Sequence, residues 1–293
     1  MVSTAYYHRA NLCPVRAQVS LVNLAAAQLL RILPRERISR AVGRLCEQPL
    51  PSLLSSAVSR AYAHAYGVDM AEAAAPHGCY RSFDAFFTRT LREGARPVAN
   101  APVVSPSDGV VSSAGLIDDG ARMFVKARPY EVGELLGDPN LARDYVGGQY
   151  LVIYLSPRDY HRVHCPVDGS LLSVIATPGD CFPVNSLGER AVPQLYVRNR
   201  RVTFLIETDE RRRIALVMVG AFIVGKIGIN ALGERELTEG QHRFDPAIRL
   251  NRGDEIGAFH LGSTVVLLAG AGVSLDAKEG KIRCGESLTR RRA

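Results

Sequence analysis

No stretch of this 293-residue chain reaches the roughly 20 consecutive apolar residues that a membrane-spanning helix needs. The longest candidate, Val19 to Leu33, is broken by Ser20, Asn23, Gln28 and Arg31. Cysteine is sparse, at positions 13, 46, 79, 165, 181 and 284. No two cysteines have the CxxC spacing of a zinc or dithiol centre, and the chain is too long and cysteine-poor for a disulfide scaffold. A reducing compartment is expected. Low-complexity tracts are absent, as is a secretory signal with a cleavage site, although the first 40 residues are Arg-rich and acid-poor in the manner of transit peptides.

What is present is an ordinary globular composition, 47% hydrophobic, long enough to bury a substantial core. The net charge of +7 is unevenly spread. Residues 1–66 hold eight arginines against Glu36 and Glu47, while the remainder is near neutral. Such a basic pole calls for an anionic partner. Its richness in leucine, valine and alanine favours an anionic membrane surface over nucleic acid, and no nucleic-acid partner is expected.

Residues 18–66 predict two or three helices. Leu33-Pro34 can open one, because proline suits a first helical turn. Ile38, Ala41, Val42 and Leu45 follow with helical spacing beside Arg35, Arg37, Arg40 and Arg44. A second helix is expected over Leu53 to Tyr66, and Ser82 can cap another running through Arg92. The segment reads equally as a structural cap or an interfacial anchor. From Val103 the texture turns to β-rich runs: Val103-Val104, Gly109 to Ala114, Tyr150 to Leu155, Ser170 to Ala176, Arg201 to Glu207, Ile214 to Ile229 and Ser263 to Ala269. The fold class expected is α+β, a mostly antiparallel β-barrel or sandwich over residues 101–293 with a helical, membrane-associating region over 1–100. Asp108-Gly109 and Asp168-Gly169 each follow a proline-containing lead and precede a strand, a hint of internal duplication.

Three stretches carry candidate chemistry. Gly262-Ser263-Thr264 opens an apolar strand. Glycine leaves its own carbonyl open to attack, and the neighbouring Ser263 hydroxyl could add to it if a base removes the proton. Ser156-Pro157-Arg158-Asp159-Tyr160-His161-Arg162-Val163-His164 offers a base, and Ser105-Pro106-Ser107-Asp108-Gly109 a carboxylate to orient it. Each has a plainer meaning as a turn, a hydrogen-bonded structural histidine and a strand lead-in. His161 and His164 could also begin a metal site, but no further ligands stand at recognisable spacing, so none is expected. Cys165 beside His164 could be a thiol nucleophile, although adjacency in sequence does not establish pairing in space.

Together these stretches resemble phosphatidylserine decarboxylase of the bacterial membrane-associated kind. The resemblance also takes in Ser82-Phe83-Asp84-Ala85-Phe86-Phe87, Arg96-Pro97, Pro178-Gly179-Asp180-Cys181-Phe182-Pro183-Val184-Asn185, Val219-Gly220-Ala221 and Gly253-Asp254-Glu255-Ile256-Gly257. It implies a proenzyme that cleaves itself between Gly262 and Ser263, giving a β chain 1–262 and an α chain 263–293 that stay associated. Ser263 would become a pyruvoyl group that forms a Schiff base with the substrate amine. The implied roles are base for His164, tautomer-holding carboxylate for Asp108 and proton donor in decarboxylation for His161. Tyr154 and Asn185 are candidate substrate-binding residues. The substrate implied is phosphatidylserine and the product phosphatidylethanolamine, at the cytoplasmic side of the cell membrane. A homodimer is one assembly to expect. Three rivals stay open: a carrier domain of the lipoyl or biotinyl type, for which no convincing hairpin lysine is found; a pyruvoyl decarboxylase of another amine; and a serine hydrolase using the same triad.

Overall fold

The computed structural model describes residues 35–75, 80–222, 227–230, 238–260, 263–276 and 278–289. The expected features at Val19–Leu33 and Leu33-Pro34 therefore lie outside the described residues. The chain enters through two helices, α1 (Arg35–Glu47) and α2 (Ser52–Tyr66), the latter ended by Gly67 in the left-handed conformation. A shorter helix, α3 (Phe83–Phe87), follows. Ser82 caps it as expected, its Oγ accepting from the Ala85 amide at 3.1 Å. The helix stops well before Arg92, because the Thr88 hydroxyl and amide both turn back onto the Asp84 carbonyl. Leu91 then bridges to Ala73 as extended chain.

The body is an eight-stranded antiparallel sheet in the order β10-β6-β7-β8-β12-β4-β1-β13. Its strands are β1 (Gly109–Leu116), β4 (Gln149–Leu155), β6 (Gly169–Thr177), β7 (Arg201–Thr208), β8 (Arg213–Gly220), β10 (Gly240–Leu250), β12 (Ser263–Ala269) and β13 (Gly280–Ile282). The barrel expectation is corrected here: β10 and β13 are the two edges and do not pair with each other, so the sheet stays open. A three-stranded sheet of β5 (Arg162–His164), β11 (Glu255–Phe259) and β9 (Ile227–Gly228) lies against one face. Its Val163, Ile256 and Phe259 share a core with Leu155, Phe204, Leu216, Val265 and Leu267. The opposite face packs Val152, Val217, Val266 and Leu268 against the hairpin of β2 (Arg122–Val125) and β3 (Arg128–Glu131), and against α4 (Val132–Leu136). Burial on both faces explains why the central strands are continuous apolar runs.

The hint of duplication has a geometric counterpart. The Val104 amide donates to the Pro166 carbonyl at 2.9 Å, and the His164 amide to the Pro106 carbonyl at 2.8 Å. Ser105 accepts from Gly285 and donates to Glu286, as Cys165 accepts from Gly253 and donates to Asp254. Asp108 accepts from the Cys284 amide and Asp168 from the Arg252 amide, each at 2.8 Å. The two leads, 104–108 and 164–168, are thus related by an approximate twofold.

β12 is the central element. All seven of its residues are buried, and it is paired along its full length with β4 on one side and β8 on the other. Truncating Leu267 to alanine should cost ~2–5 kcal/mol, the range for a fully buried leucine. Urea unfolding of Leu267→Ala in a Ser263→Ala background, chosen so that the expected self-cleavage does not intervene, measures it.

Candidate active site

Ser263 is the first residue of β12, in register with Leu155 of β4 and Gly220 of β8. It is fully buried, and among the described residues its Oγ has no hydrogen-bond partner, a state it shares with the adjacent Thr264 hydroxyl. Gly262 lies outside the described residues. Four residues before Ser263, the Phe259 amide donates to the His161 carbonyl at 2.9 Å. The segment 259–263 is therefore tied to the segment 155–161 at both of its ends, which brings His161 and Ser263 to the same end of the sheet.

His161 is also fully buried, its ring 4.1 Å from that of Phe87 on α3. Nδ1 lies 2.8 Å from the Asp159 carbonyl, which can only accept, so Nδ1 carries the proton. Nε2 is left as a buried acceptor with no partner. Desolvation lowers the pKa to about 3, with the nearby Arg89 guanidinium acting in the same direction and the bond to Asp159 opposing. At neutral pH this imidazole is uncharged and has a free lone pair. It must take up a proton before it can give one.

His164 is bound differently. Its Nδ1 donates to the Gly253 carbonyl at 2.7 Å, and its Nε2 accepts from the Tyr160 hydroxyl at 3.1 Å. Burial raises the Tyr160 pKa well above its ordinary value, so the phenol keeps its proton for that bond. Asp108 is buried on the neighbouring lead, and its described bonds go elsewhere. Oδ1 accepts from Arg96 Nε at 2.7 Å and from the Cys284 amide, while Oδ2 accepts from Arg96 Nη2 at 2.5 Å. Arg96 also reaches Glu72 at 2.8 Å, and Glu72 pairs with Arg283. The carbonyl of Gly253, and not the carboxylate of Asp108, fixes the His164 tautomer in this structure.

Tyr154 is paired with Thr264, so it lies on the opposite face of the sheet from Ser263, half-buried beside Val152. Asn185 is exposed, its Oδ1 accepting from the Gly188 amide at the start of α5 (Ser186–Ala191). The thiols of Cys165 and Cys284 are pushed up to about 12 by burial, which keeps them protonated and poor nucleophiles. Among the described residues no three His, Cys, Asp or Glu side chains converge to hold a metal.

Two participants escaped the sequence reading. His260, three residues before Ser263, has Nδ1 2.6 Å from Asp84 Oδ1 on α3. Both line a cleft of 790 Å³ together with Arg81, Thr88, Arg162 and Arg200. A His–Asp pair leaves no signature when its members are 176 positions apart. Position was the available signal, since Asp84 falls inside one of the family motifs and His260 lies two residues before Gly262.

A buried serine hydroxyl and a buried imidazole nitrogen, neither with a hydrogen-bond partner among the described residues, thus stand at one end of the sheet, an arrangement open to acid–base and nucleophilic chemistry. The family model described as phosphatidylserine decarboxylase matches residues 83–290, and the chain belongs to that family. Similar proteins include the phosphatidylserine decarboxylase proenzymes of Acinetobacter baylyi, 40% identical over 81% of this chain and 84% of the relative, and Chromobacterium violaceum, 42% identical over 82% and 88%. That of Pseudomonas fluorescens is 41% identical over 88% of this chain and 94% of its own.

The state of His161 predicts a pH effect. Its folded pKa of about 3 lies below the ordinary 6.5, so the unfolded chain takes up the proton first as pH falls. Stability attributable to this residue is intact above pH 6.5 and declines between 6.5 and 3, by about 1.4 kcal/mol per unit. In the Ser263→Ala background, His161→Phe should flatten that acid limb. Denaturant unfolding at pH 7 and pH 5 measures the difference.

Proposed function

We propose that this chain is a proenzyme that cleaves itself between Gly262 and Ser263 and then decarboxylates phosphatidylserine to phosphatidylethanolamine. The observation that carries the reading is the buried, unbonded Ser263 Oγ at the head of β12. A base removes the Oγ proton, and Oγ adds to the Gly262 carbonyl carbon. The adduct collapses with loss of the C–N bond, leaving an ester and a free Ser263 amine. Loss of the Ser263 Cα proton expels Gly262 as a carboxylate from Cβ. The dehydroalanine left behind becomes an imine, water adds, and ammonia departs, leaving a pyruvoyl group at the start of a 31-residue piece. Ser263 suits this conversion, because its hydroxyl makes no structural bond that would be lost.

The pyruvoyl carbonyl supplies an electrophile for the substrate amine and an electron sink once carbon dioxide leaves. The rest falls to side chains. His161, in a dry pocket against Phe87, returns a proton to the substrate carbon; with so low a pKa its protonated form is a strong acid. For the self-cleavage base, one assignment uses His164, with Asp108 holding the lead beside it; the Tyr160 hydroxyl would have to release Nε2. A second assignment gives the first proton transfer to His161. The unpartnered Nε2 favours it, and His164 and Asp108 then serve to brace the twofold-related leads.

The two pieces stay together in this reading. Val265, Val266, Leu267 and Leu268 are fully buried between β4 and β8, a burial of roughly 6–12 kcal/mol before any hydrogen bonds. Membrane attachment is proposed through α1 and α2. No helix among the described residues is long and apolar enough to span a bilayer. Yet Leu45 and Leu53 are 71% and 86% exposed, beside the exposed Arg37, Arg40 and Arg44. Apolar insertion combined with basic attraction holds a peripheral protein on an anionic leaflet, here the cytoplasmic face.

Ser263→Ala should remain full length, whereas the parent gives two fragments, the smaller with a carbonyl-blocked terminus by intact mass. His164→Ala blocking cleavage while His161→Ala cleaves but fails to decarboxylate supports the first assignment. The opposite pattern of cleavage supports the second. Co-sedimentation with anionic vesicles should fall as salt rises and fall further in Leu45→Ser/Leu53→Ser. Equal binding by that variant and the parent would mark the helices as a structural cap.

A further inference from the structure

The reaction at Gly262–Ser263 makes a demand that the nucleophile and base do not meet. A serine hydroxyl adding to the carbonyl of the residue before it must close a five-membered ring, so the backbone on both sides of the scissile bond has to be held. The downstream side is held by β12, where Ser263 is paired on both edges. The upstream side has fewer restraints. Phe259 is fixed by its amide bond to His161 and by pairing with Ile227. Between Phe259 and Ser263 stand only His260, Leu261 and Gly262, and of these His260 is the described residue.

Its side chain is firmly seated. Nδ1 meets Asp84 Oδ1 at 2.6 Å, and both side chains are mostly buried. The ring edge lies over Gly228 of β9, where an added Cβ would come within 3.1 Å of Nε2, so glycine lets the ring approach the strand. Asp84 is fixed in turn. It sits in the first turn of α3, a helix capped by Ser82 and closed by the Thr88 bonds to the Asp84 carbonyl. Three residues on, the same helix presses Phe87 onto His161. One five-residue helix thus grips both the arm leading to the scissile bond and the buried imidazole. The surrounding cleft carries other charges: Arg81, Arg200, and Arg162, which is paired with Glu255.

We propose that the Asp84–His260 hydrogen-bonded pair is a positioning clamp for self-cleavage, holding the upstream arm so that the Gly262 carbonyl stays within reach of Ser263 Oγ. The inference rests on the self-cleavage reading. The two residues act through the backbone and leave the proton transfers to others. Intramolecular attack depends steeply on alignment, and an ångström of displacement is enough to slow such a step about 100-fold. The clamp matters before the cut; afterwards the arm ends at a free carboxylate and no longer needs alignment.

The test follows precursor and fragments over time in full-length chain made by cell-free translation, with wild type alongside. Failure of wild type to cleave would sink the underlying reading, not merely the clamp. With wild type cleaving, Asp84→Asn and His260→Ala should each slow the precursor's disappearance about 10–100-fold. The double variant should be no slower than the slower single one, because both remove one interaction. His260→Lys, which supplies another N–H donor for Asp84, should recover most of the rate, and the recovery should vanish when Asp84→Asn is added. Melting of each variant in the Ser263→Ala background separates positioning from folding. Wild-type rates in both single variants, multiplicative slowing in the double, or slowing that follows lost melting temperature and is not reversed by lysine would each overturn the clamp.

Discussion

In the proposed maturation, strand β12 has to be the best-held strand of the sheet and, at its first residue, the place where the backbone breaks. These requirements conflict unless the break falls at the boundary of the hydrogen-bonded region. Ser263 stands at that boundary, its main chain inside the ladder and its hydroxyl outside any bond. Moved two residues into β12, the same chemistry would break a ladder with partners on both sides.

Burial sets the electrostatics. In water a histidine side chain is partly cationic near neutrality. Enclosed by Phe87, with its Nδ1 proton tied to a carbonyl and Arg89 nearby, His161 is held uncharged. Asp108, Arg96, Glu72 and Arg283 form their own chain of ion pairs, joining the segment after α2 to the C-terminal tail. His164 lies between the two environments and has both ring nitrogens occupied. The Asp168–Arg252 bond, which repeats the Asp108–Cys284 bond across the approximate twofold, indicates that a carboxylate at this point of the lead has structural work wherever else it is used.

The sequence was most legible where burial was most complete. β4 and β12 read as nearly continuous apolar runs, β6 and β7 as apolar runs carrying only Ser173 and Thr203 within them, and all four runs lie within a residue or two of their observed ends. β10 was missed because it is a polar edge strand containing Pro246, with little of its surface covered. β5, β9 and β13 are two or three residues long, too short for any period to register. Closure into a barrel is a matter of edge pairing, which composition does not encode. For the site, the family motifs pointed to particular segments, but hydrogen-bond partners are tertiary. Nothing local in Tyr160 to His164 tells which imidazole will find both nitrogens occupied and which will keep one free. Nor does Ser82 to Arg92 reveal that its helix will stop at Phe87.

The position of β12 also orders events in time. Residues 263–269 are made late yet sit between two strands made early, and the tail after them pairs with the chain near residues 99–111. Until that tail leaves the ribosome, β4 and β8 have no partner between them and Ser263 has no fixed place. A chain released early, or folded with another strand in the gap, would never present its serine to a neighbouring carbonyl. The prosthetic group would then be more than a reagent. Its presence would record that the chain had been synthesised through β12 and the segment that pairs with residues 99–111 and had been correctly assembled, and misassembled copies would remain chemically inert.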